Sequence, residues 1–561
     1  MSRSGGSAAH GGEGAGGRIA FARPNWFWCG VLLCLAGALG HLPMYEHLAH
    51  PSGYPDTIAG SAWGSPMTIT MMVGMVFILA GVAACAYGIV GPRRTPGDYA
   101  PGPLQVSFAN DVPLTRAHWG LTAVMVLAMA IDVMKPLSLS FVVPGMAQEY
   151  GLRSPVHPHG GLPVALLPLS GISGTVIGSF LWGRFGDRIG RRPAILLAAV
   201  FFLATSVCGA MPQFWMNLVM CFLMGLGAGG MLPLLFTLLT ETVPTRQRGW
   251  LVVLVGGVGT ASGYVLTSWA ASLLVPHFGW RVLWLLGLPT GVLLLLLNRW
   301  IPESARFLAA CGRPADAEAV LARYGARLAS APPPLYAPAA STHDGYLLLA
   351  PYARVSLPLV LFALGIGLVT HGFQLWIPSD LQRLGLSELT ADTTLRNSAL
   401  LGLPFTLAIA WLYGRWSSKA TLVLLGTCTA ASMVTLAAVG DRIAVHPLSL
   451  HLLLAVPIWS AGTAVAVLSA YTAEVYPTAI RSQASGLTAA ATKAGGLLMI
   501  TVVVAAVAPP SLRTTALLGA VPVALATVAI ALWGVETRSR SLEEISTSAL
   551  ESRGLTEPVL E

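Results

Sequence analysis

Charge is scarce in this chain. Only 10% of its 561 residues are Asp, Glu, Lys or Arg, while 55% are hydrophobic. So few charges cannot cover the surface of a water-soluble domain of this size. Lysine is almost missing: Lys135, Lys419 and Lys493 stand beside 29 arginines. The seven cysteines (Cys29, Cys34, Cys85, Cys208, Cys221, Cys311 and Cys428) have neither metal-ligand spacing nor the pattern of a disulfide framework. No nucleophile–base set, phosphate-cradling loop or metal-ligand cluster occurs, so neither an enzyme nor a cofactor is expected.

What the chain has instead is long apolar runs. They lie near 25–44, 65–90, 117–144, 162–181, 193–211, 214–240, 250–273, 282–298, 356–377, 398–413, 420–439, 449–473, 483–507 and 514–534. Each approaches the ~20 residues that a helix needs to cross a bilayer. An all-α polytopic membrane protein of about 14 spans is expected. With the N-terminus inside, 24 Lys and Arg fall on cytoplasmic segments and 6 on outer ones. That bias places both termini in the cytoplasm of a cell with a plasma or inner membrane. It also assigns the net charge of +8 to orientation rather than to nucleic-acid binding.

A repeat divides the body. Glu241, Pro244, Thr245 and Arg248 recur at identical spacing as Glu474, Pro477, Thr478 and Arg481. Glu303-Ser304 recurs as Glu536-Thr537 at the same offset of 233. Parallel duplication of this kind is the trace of two similar helix bundles. The expected organisation is a disordered tail at 1–24 and an extra transmembrane hairpin with its linker at 25–115. A six-helix bundle at 116–298, a central cytoplasmic segment at 299–355, a second bundle at 356–534 and a tail at 535–561 follow.

At 183–192 the sequence reads GRFGDRIGRR, with Gly183, Asp187, Arg188, Gly190, Arg191 and Arg192 at a membrane surface, and a short loop is expected there. It resembles the signature loop between helices 2 and 3 of the major facilitator superfamily of transporters. The run Pro302-Glu303-Ser304-Ala305-Arg306-Phe307-Leu308 resembles the motif after helix 6 in sugar-porter members. Glu536-Thr537, with Ser541-Leu542-Glu543-Glu544, is similar to the motif after helix 12 in the same group. The stretch from His371 through Gln374 and Trp376 to Pro378 resembles the seventh-helix pattern of organic-acid and aromatic-acid members of the metabolite:proton symporter branch. Two departures stand out. Cys221 occupies the place of a usual arginine in the fourth helix, and the glycines of the fifth helix lack the proline that accompanies drug antiporters.

The resemblance implies two pseudo-symmetric six-helix bundles and transport by alternating access. It implies a gate of ion pairs, read here as Asp187 with its arginine cluster, Glu241 with Arg248, Glu303 with Arg306, and Glu474 with Arg481. Glu536 belongs to the same motif set. Ionisable groups inside spans are costly and face a cavity or a partner. Asp132 stands where proton-coupled relatives carry a first-helix aspartate, and is the candidate for proton coupling. Lys493, in the family's eleventh helix, is the candidate for the substrate's charge, and a cation there points to an anion such as a carboxylate. Lys135, His371, Gln374 and Trp376 complete the candidate substrate site. Asp132 with Lys135 as a structural pair remains an alternative, as does Asp132 with Lys493.

The expected function is proton-coupled uptake of a small organic anion, aromatic carboxylates included. The partners are the solute, protons and the lipid bilayer, and the protein is expected to be a monomer. A sugar or polyol symporter, an efflux carrier and a non-transporting sensor are the alternatives. A metal carrier is a further one, resting on Met216, Met220 and Met224 at helical spacing, although no metal site is assigned. His41, His47 and His50 are read as a solvated outer loop.

Overall fold

The computed structural model describes residues 22–49, 66–89, 104–107, 113–154, 159–330, 352–374, 377, 381, 388–439, 447–476, 481–505 and 512–538. The chain begins with α1 (Pro24–Leu39), a short α2 (Leu42–Ala49) and α3 (Pro66–Ile89). The first half of the body follows: α4 (Arg116–Glu149), α5 (Leu166–Ile189), α6 (Arg191–Ala204), α7 (Phe214–Thr242), α8 (Thr245–Phe278), α9 (Val282–Leu285) and α10 (Gly287–Leu296). Two short helices, α11 (Ala305–Ala310) and α12 (Pro314–Arg323), lead away from it. The second half contains α13 (Ala353–Gly367) with a π-helical turn (Leu368–Phe373), α14 (Glu388–Arg415), α15 (Ser418–Val439), α16 (Pro447–Val475), α17 (Arg481–Ala505) and α18 (Leu512–Trp533).

Twelve helical stretches among the described residues are long and apolar enough to cross a membrane. A helix is the form in which a single segment satisfies all its backbone hydrogen bonds within lipid. Large apolar side chains such as Leu32, Val76, Leu296, Leu525 and Leu532 stand exposed on the outside, as a lipid-facing surface requires. Neither α14 nor α17 belongs to the twelve. The first turns of α14 are polar, and α17 carries Arg481, Ser482, Gln483, Ser485, Thr488, Thr492 and Lys493. That polarity has a use, since α17 packs against α5 of the first half rather than facing lipid alone.

The expected loop at 183–192 is one residue long. Helix α5 runs on through Asp187 to Ile189, and α6 starts at Arg191. Only Gly190 breaks the path, at φ +102°, where an L side chain would be strained. A Cβ there would also lie 2.4 Å from Glu303 Oε2. The turn at Gly190 brings Arg191, the first residue of α6, back against Asp187 in the last turn of α5.

The extra hairpin is a built part of the first half. Helices α1 and α3 approach so closely that a Cβ on Gly30 would sit 2.5 Å from the Gly81 carbonyl oxygen. Small residues permit such contacts between membrane helices. Both helices also pack against α6. Beyond α1, the Tyr45 hydroxyl donates to the Ser206 carbonyl at 2.6 Å and accepts from the Gly209 N–H at 3.0 Å. It therefore binds the 3-10 turn Thr205–Ala210 that ends α6. His41 is buried rather than solvated, with Nδ1 2.8 Å from the Gly37 carbonyl oxygen. The side chain of His47 and all of His50 lie outside the described residues.

The linker that follows the hairpin adds a feature the sequence did not suggest. Strand β1 (Leu104–Ser107) pairs antiparallel with β2 (Arg327–Ser330), Leu104 opposite Ser330. Residues that precede the first half are so joined to the segment that follows it. His118, near the start of α4, meets Tyr324 edge-on at 5.0 Å beside the same segment. Met220 and Met224 pack in the apolar core of the first half, and Met216 packs against it.

Removing the Tyr45 hydroxyl leaves a buried carbonyl and N–H without their partner. Tyr45→Phe should cost about 1–3 kcal/mol and lower the melting temperature of the detergent-purified protein. An unchanged melting temperature would mean that the Tyr45 hydroxyl adds nothing to the stability of the first half.

Candidate functional site

One end of the two bundles is closed by buried charges that the duplicated motifs supply. The sequence suggested Glu241 with Arg248 and Glu474 with Arg481; the ion pairs found here cross between the two copies. Arg248 Nε contacts Glu474 Oε1 at 3.3 Å, and Arg481 Nη1 contacts Glu241 Oε1 at 3.6 Å. Each pair joins the first half to the second. The four side chains are at least 95% buried. Losing one partner of a buried pair is costly, because the other charge stays behind without compensation.

Arg191 extends this network, with Nη2 3.1 Å from both Asp187 Oδ1 and Glu241 Oε1. The Tyr413 hydroxyl donates to Glu474 Oε2 at 2.9 Å, and Thr537 Oγ1 donates to the same oxygen at 2.7 Å. Helices α5 and α17 touch at this end. A Cβ on Gly183 would lie 2.9 Å from the Ser482 carbonyl oxygen, and one on Gly486 2.8 Å from that of Ser179.

Glu303 and Glu536 serve differently from the expected gate pairs. Glu303 Oε1 accepts from the backbone N–H of Arg191, at the start of α6, at 2.9 Å, and from that of its neighbour Ser304 at 2.8 Å. Glu536 Oε1 accepts from the Ser418 N–H at 3.0 Å, at the start of α15, and the Ser417 hydroxyl donates to Oε2. Each motif carboxylate therefore caps the equivalent helix of its own half, where exposed N–H groups and the helix dipole favour an anion. Burial pushes the Glu303 carboxyl up, against the backbone donors and the Arg191 charge. Partial burial works the same way on Glu536, but donors from Ser417 and Ser418 outweigh it and hold its carboxyl below the usual range. Arg192 Nε donates to Asn298 Oδ1 at 2.9 Å, and Arg188 is exposed.

Above the closed end lies a cavity of about 120 Å³, lined by both halves. Helix α4 presents Asp132 to it, α17 presents Lys493, and the π-helical turn with the residue after it presents Thr370, His371 and Gln374. π-turns are rare inside helices and recur at functional sites. Asp132 is 6% exposed, and its Oδ1 has no hydrogen-bond partner. Lys493 is 7% exposed and donates to Ser179 Oγ at 3.0 Å and to the Gly229 carbonyl at 3.2 Å. Both acceptors belong to the first half. Among the described residues neither lysine forms an ion pair with Asp132.

Lys135 does not reach the cavity. It points into the first half, where its ammonium lies 3.5 Å from the Phe202 carbonyl oxygen and fills the space left by Gly287. One helical turn separates it from Asp132 in sequence, but the two side chains diverge around the bundle. Trp376 lies outside the described residues. Sequence reasoning missed Tyr264, whose hydroxyl donates to Gln374 Oε1 at 2.7 Å across the two halves, and Ser179. Neither stands in a motif; each is an ordinary hydroxyl residue within an apolar span. Cys221 packs between α5 and α7, its thiol 3.5 Å from the Leu167 carbonyl oxygen.

Two membrane bundles enclosing a buried, charged cavity, joined at one end by ion pairs, define a secondary transporter rather than a channel or an enzyme. The sequence profile of the Major Facilitator Superfamily matches residues 119–498, and the chain belongs to that family. It is 27% identical over 449 residues to the niacin transporter of Acinetobacter baylyi, covering 78% of this chain and 99% of the relative. A 4-hydroxybenzoate transporter of the same organism is 31% identical over 213 residues, 37% of this chain and 44% of the relative. In fold, the chain is similar to the solved proton:xylose symporter XylE bound to 6-bromo-6-deoxy-D-glucose. That likeness has a TM-score of 0.62 at 18% identity and covers 77% of this chain and 98% of the other.

The exchanged pairs predict reciprocity. Arg248→Glu and Glu474→Arg should each open the closed end, seen as faster thiol labelling of a Thr260→Cys reporter in the cavity. Combined, the two changes should recover slow labelling. If the double variant labels as fast as either single one, the two side chains do not act on each other.

Proposed function

We propose that this protein imports a small organic carboxylate together with protons by alternating access. The observation that carries this reading is that Asp132 and Lys493 face one largely apolar cavity between the halves without pairing. A buried ammonium held by neutral acceptors attracts an anion, and a carboxylate inside the membrane is a natural proton site. The niacin and 4-hydroxybenzoate carriers, and a gallate transporter of Pseudomonas putida that is 30% identical over 236 residues, are named for ring-bearing carboxylic acids. An aromatic monocarboxylate is therefore the first class to test.

The reading places 14 spans in the membrane, α14 and α17 being the two that line up beside the twelve apolar ones. It puts both termini and the ion-paired end in the cytoplasm, following the distribution of Lys and Arg. On this reading, the end closed in the state described is the cytoplasmic one. Breaking the Arg248–Glu474 and Arg481–Glu241 pairs would let the halves rock apart and release the solute inside. His371 and Gln374 join Lys493 as substrate-facing residues, whereas Lys135 is left to a role within the first half. Glu303 and Glu536 hold helix ends next to the gate. The protein acts as a monomer, each copy holding a complete cavity. A neutral sugar is the second reading, favoured by the motifs at Glu303 and Glu536, but it leaves the charge on Lys493 without a partner.

Purified protein in liposomes with a trapped pH dye tests this. Nicotinate, benzoate, 4-hydroxybenzoate and gallate should each be tried against xylose and an organic cation. Carboxylate-dependent acidification that Asp132→Asn abolishes is the expected result. Acidification driven by xylose alone would replace the carboxylate reading, and acidification that survives Asp132→Asn would remove Asp132 from the coupling.

A further inference from the structure

Ser179 is the point at which the gate and the cavity meet. It is fully buried in α5. Its carbonyl oxygen meets Gly486 of α17, as described above, and its hydroxyl oxygen accepts from Lys493 two turns further along the same helix. The hydroxyl proton lies within reach of the Gly229 carbonyl at 2.8 Å and the Thr175 carbonyl at 2.9 Å. Ser179 is thereby fixed with its lone pairs toward Lys493.

An ammonium has three N–H donors. On Lys493 two are met, by Ser179 Oγ and the Gly229 carbonyl, and both acceptors are neutral. The third has no acceptor among the described residues, and the positive charge has no anion in contact. Facing the same cavity, Asp132 Oδ1 is buried without a donor. A cation with a donor to spare and a buried acceptor thus share one compartment without touching. The other titratable groups lining it are His371, whose Nδ1 lies 2.9 Å from Thr370 Oγ1, and Tyr264, which is bonded to Gln374. Lys135, on the same helix as Asp132, faces away.

A carboxylate entering this space meets Lys493 favourably and an ionised Asp132 unfavourably. A proton on Asp132 removes the second anion and turns its oxygen into a donor, so that the incoming carboxylate gains a charge-assisted hydrogen bond on each side. We propose that Ser179 is the positioning residue for Lys493, and that the cavity holds a carboxylate between the third N–H of Lys493 and protonated Asp132. One proton then loads with each carboxylate. This rests on the carboxylate reading above and specifies how the solute and proton are coupled. Because Ser179 and Gly229 belong to one half and Lys493 to the other, the hold is complete only while the ion-paired end is closed. Opening that end withdraws both acceptors from the ammonium and loosens the solute.

Equilibrium binding of nicotinate and benzoate to the purified full-length protein in nanodiscs, followed over a range of alkaline pH, tests the proposal. For wild type, affinity should fall about tenfold per pH unit, the signature of one proton taken up with each carboxylate. Asp132→Asn, whose amide donates at any pH, should lose this one-proton dependence and keep only the slope that loss of the Lys493 proton contributes. Ser179→Ala should weaken binding roughly ten- to a hundredfold with an unaltered pH slope, the loss of one hydrogen bond to a charged group. Ser179→Thr, which keeps the hydroxyl, should restore it. Affinity of the wild type that is flat in pH overturns the proposal, as does loss of binding in Asp132→Asn at every pH. Ser179→Ala binding as tightly as wild type, in protein that still accumulates carboxylates in liposomes, overturns the role of Ser179 and leaves the carboxylate reading standing. Failure of wild type to bind or transport any of the four carboxylates overturns both.

Discussion

The exchange of partners between two copies of one motif is the contact on which the rest of the structure depends. Glu241 and Arg248 sit close in sequence, as do Glu474 and Arg481, yet each acid reaches the arginine of the other copy. A pair within one half would stabilise that half in every state. A pair across the halves contributes only while they are together, and so its energy depends on conformation. Placing both pairs behind close contacts at Gly183 and Gly486 excludes water, which strengthens the attraction and makes a half-broken network costly.

The surrounding residues keep these charges where the exchange requires them. Gly190 turns the chain within one residue, and Glu303 accepts the N–H that this turn exposes. The second half repeats the device with Glu536 on Ser418. Tyr413 and Thr537 bind the remaining oxygen of Glu474, which fixes the carboxylate relative to Arg248. The helices that carry the gate, α5 and α17, also carry Ser179 and Lys493, so the cavity and the gate are two levels of one helix contact.

The extra hairpin and the β1–β2 ribbon both attach to the first half. The hairpin packs along α6 and is tied to its end by Tyr45. The ribbon joins the linker before α4 to the segment beyond α12, and Tyr324 of that segment lies against His118 of α4. None of these contacts crosses to the second half. Among the described residues, these additions thicken one bundle, and the exchanged pairs link the two bundles elsewhere.

The sequence by itself determined the membrane class, the placing of the apolar helices, the duplication and the family. Hydropathy and spacing are local properties, and each survives in one dimension. It also marked Asp132 and Lys493, because a charge within an apolar run is conspicuous wherever the helix goes. Only the tertiary structure decided which acid meets which arginine, since residues more than 200 positions apart are brought together by the packing of the halves. It separated Lys135 from Asp132 as well: three residues along a helix turn a side chain far enough to leave the cavity when neighbouring helices crowd close. It gave Ser179 and Tyr264 their places, because a hydroxyl acquires meaning from the partner opposite it, and that partner lies in the other half of the chain.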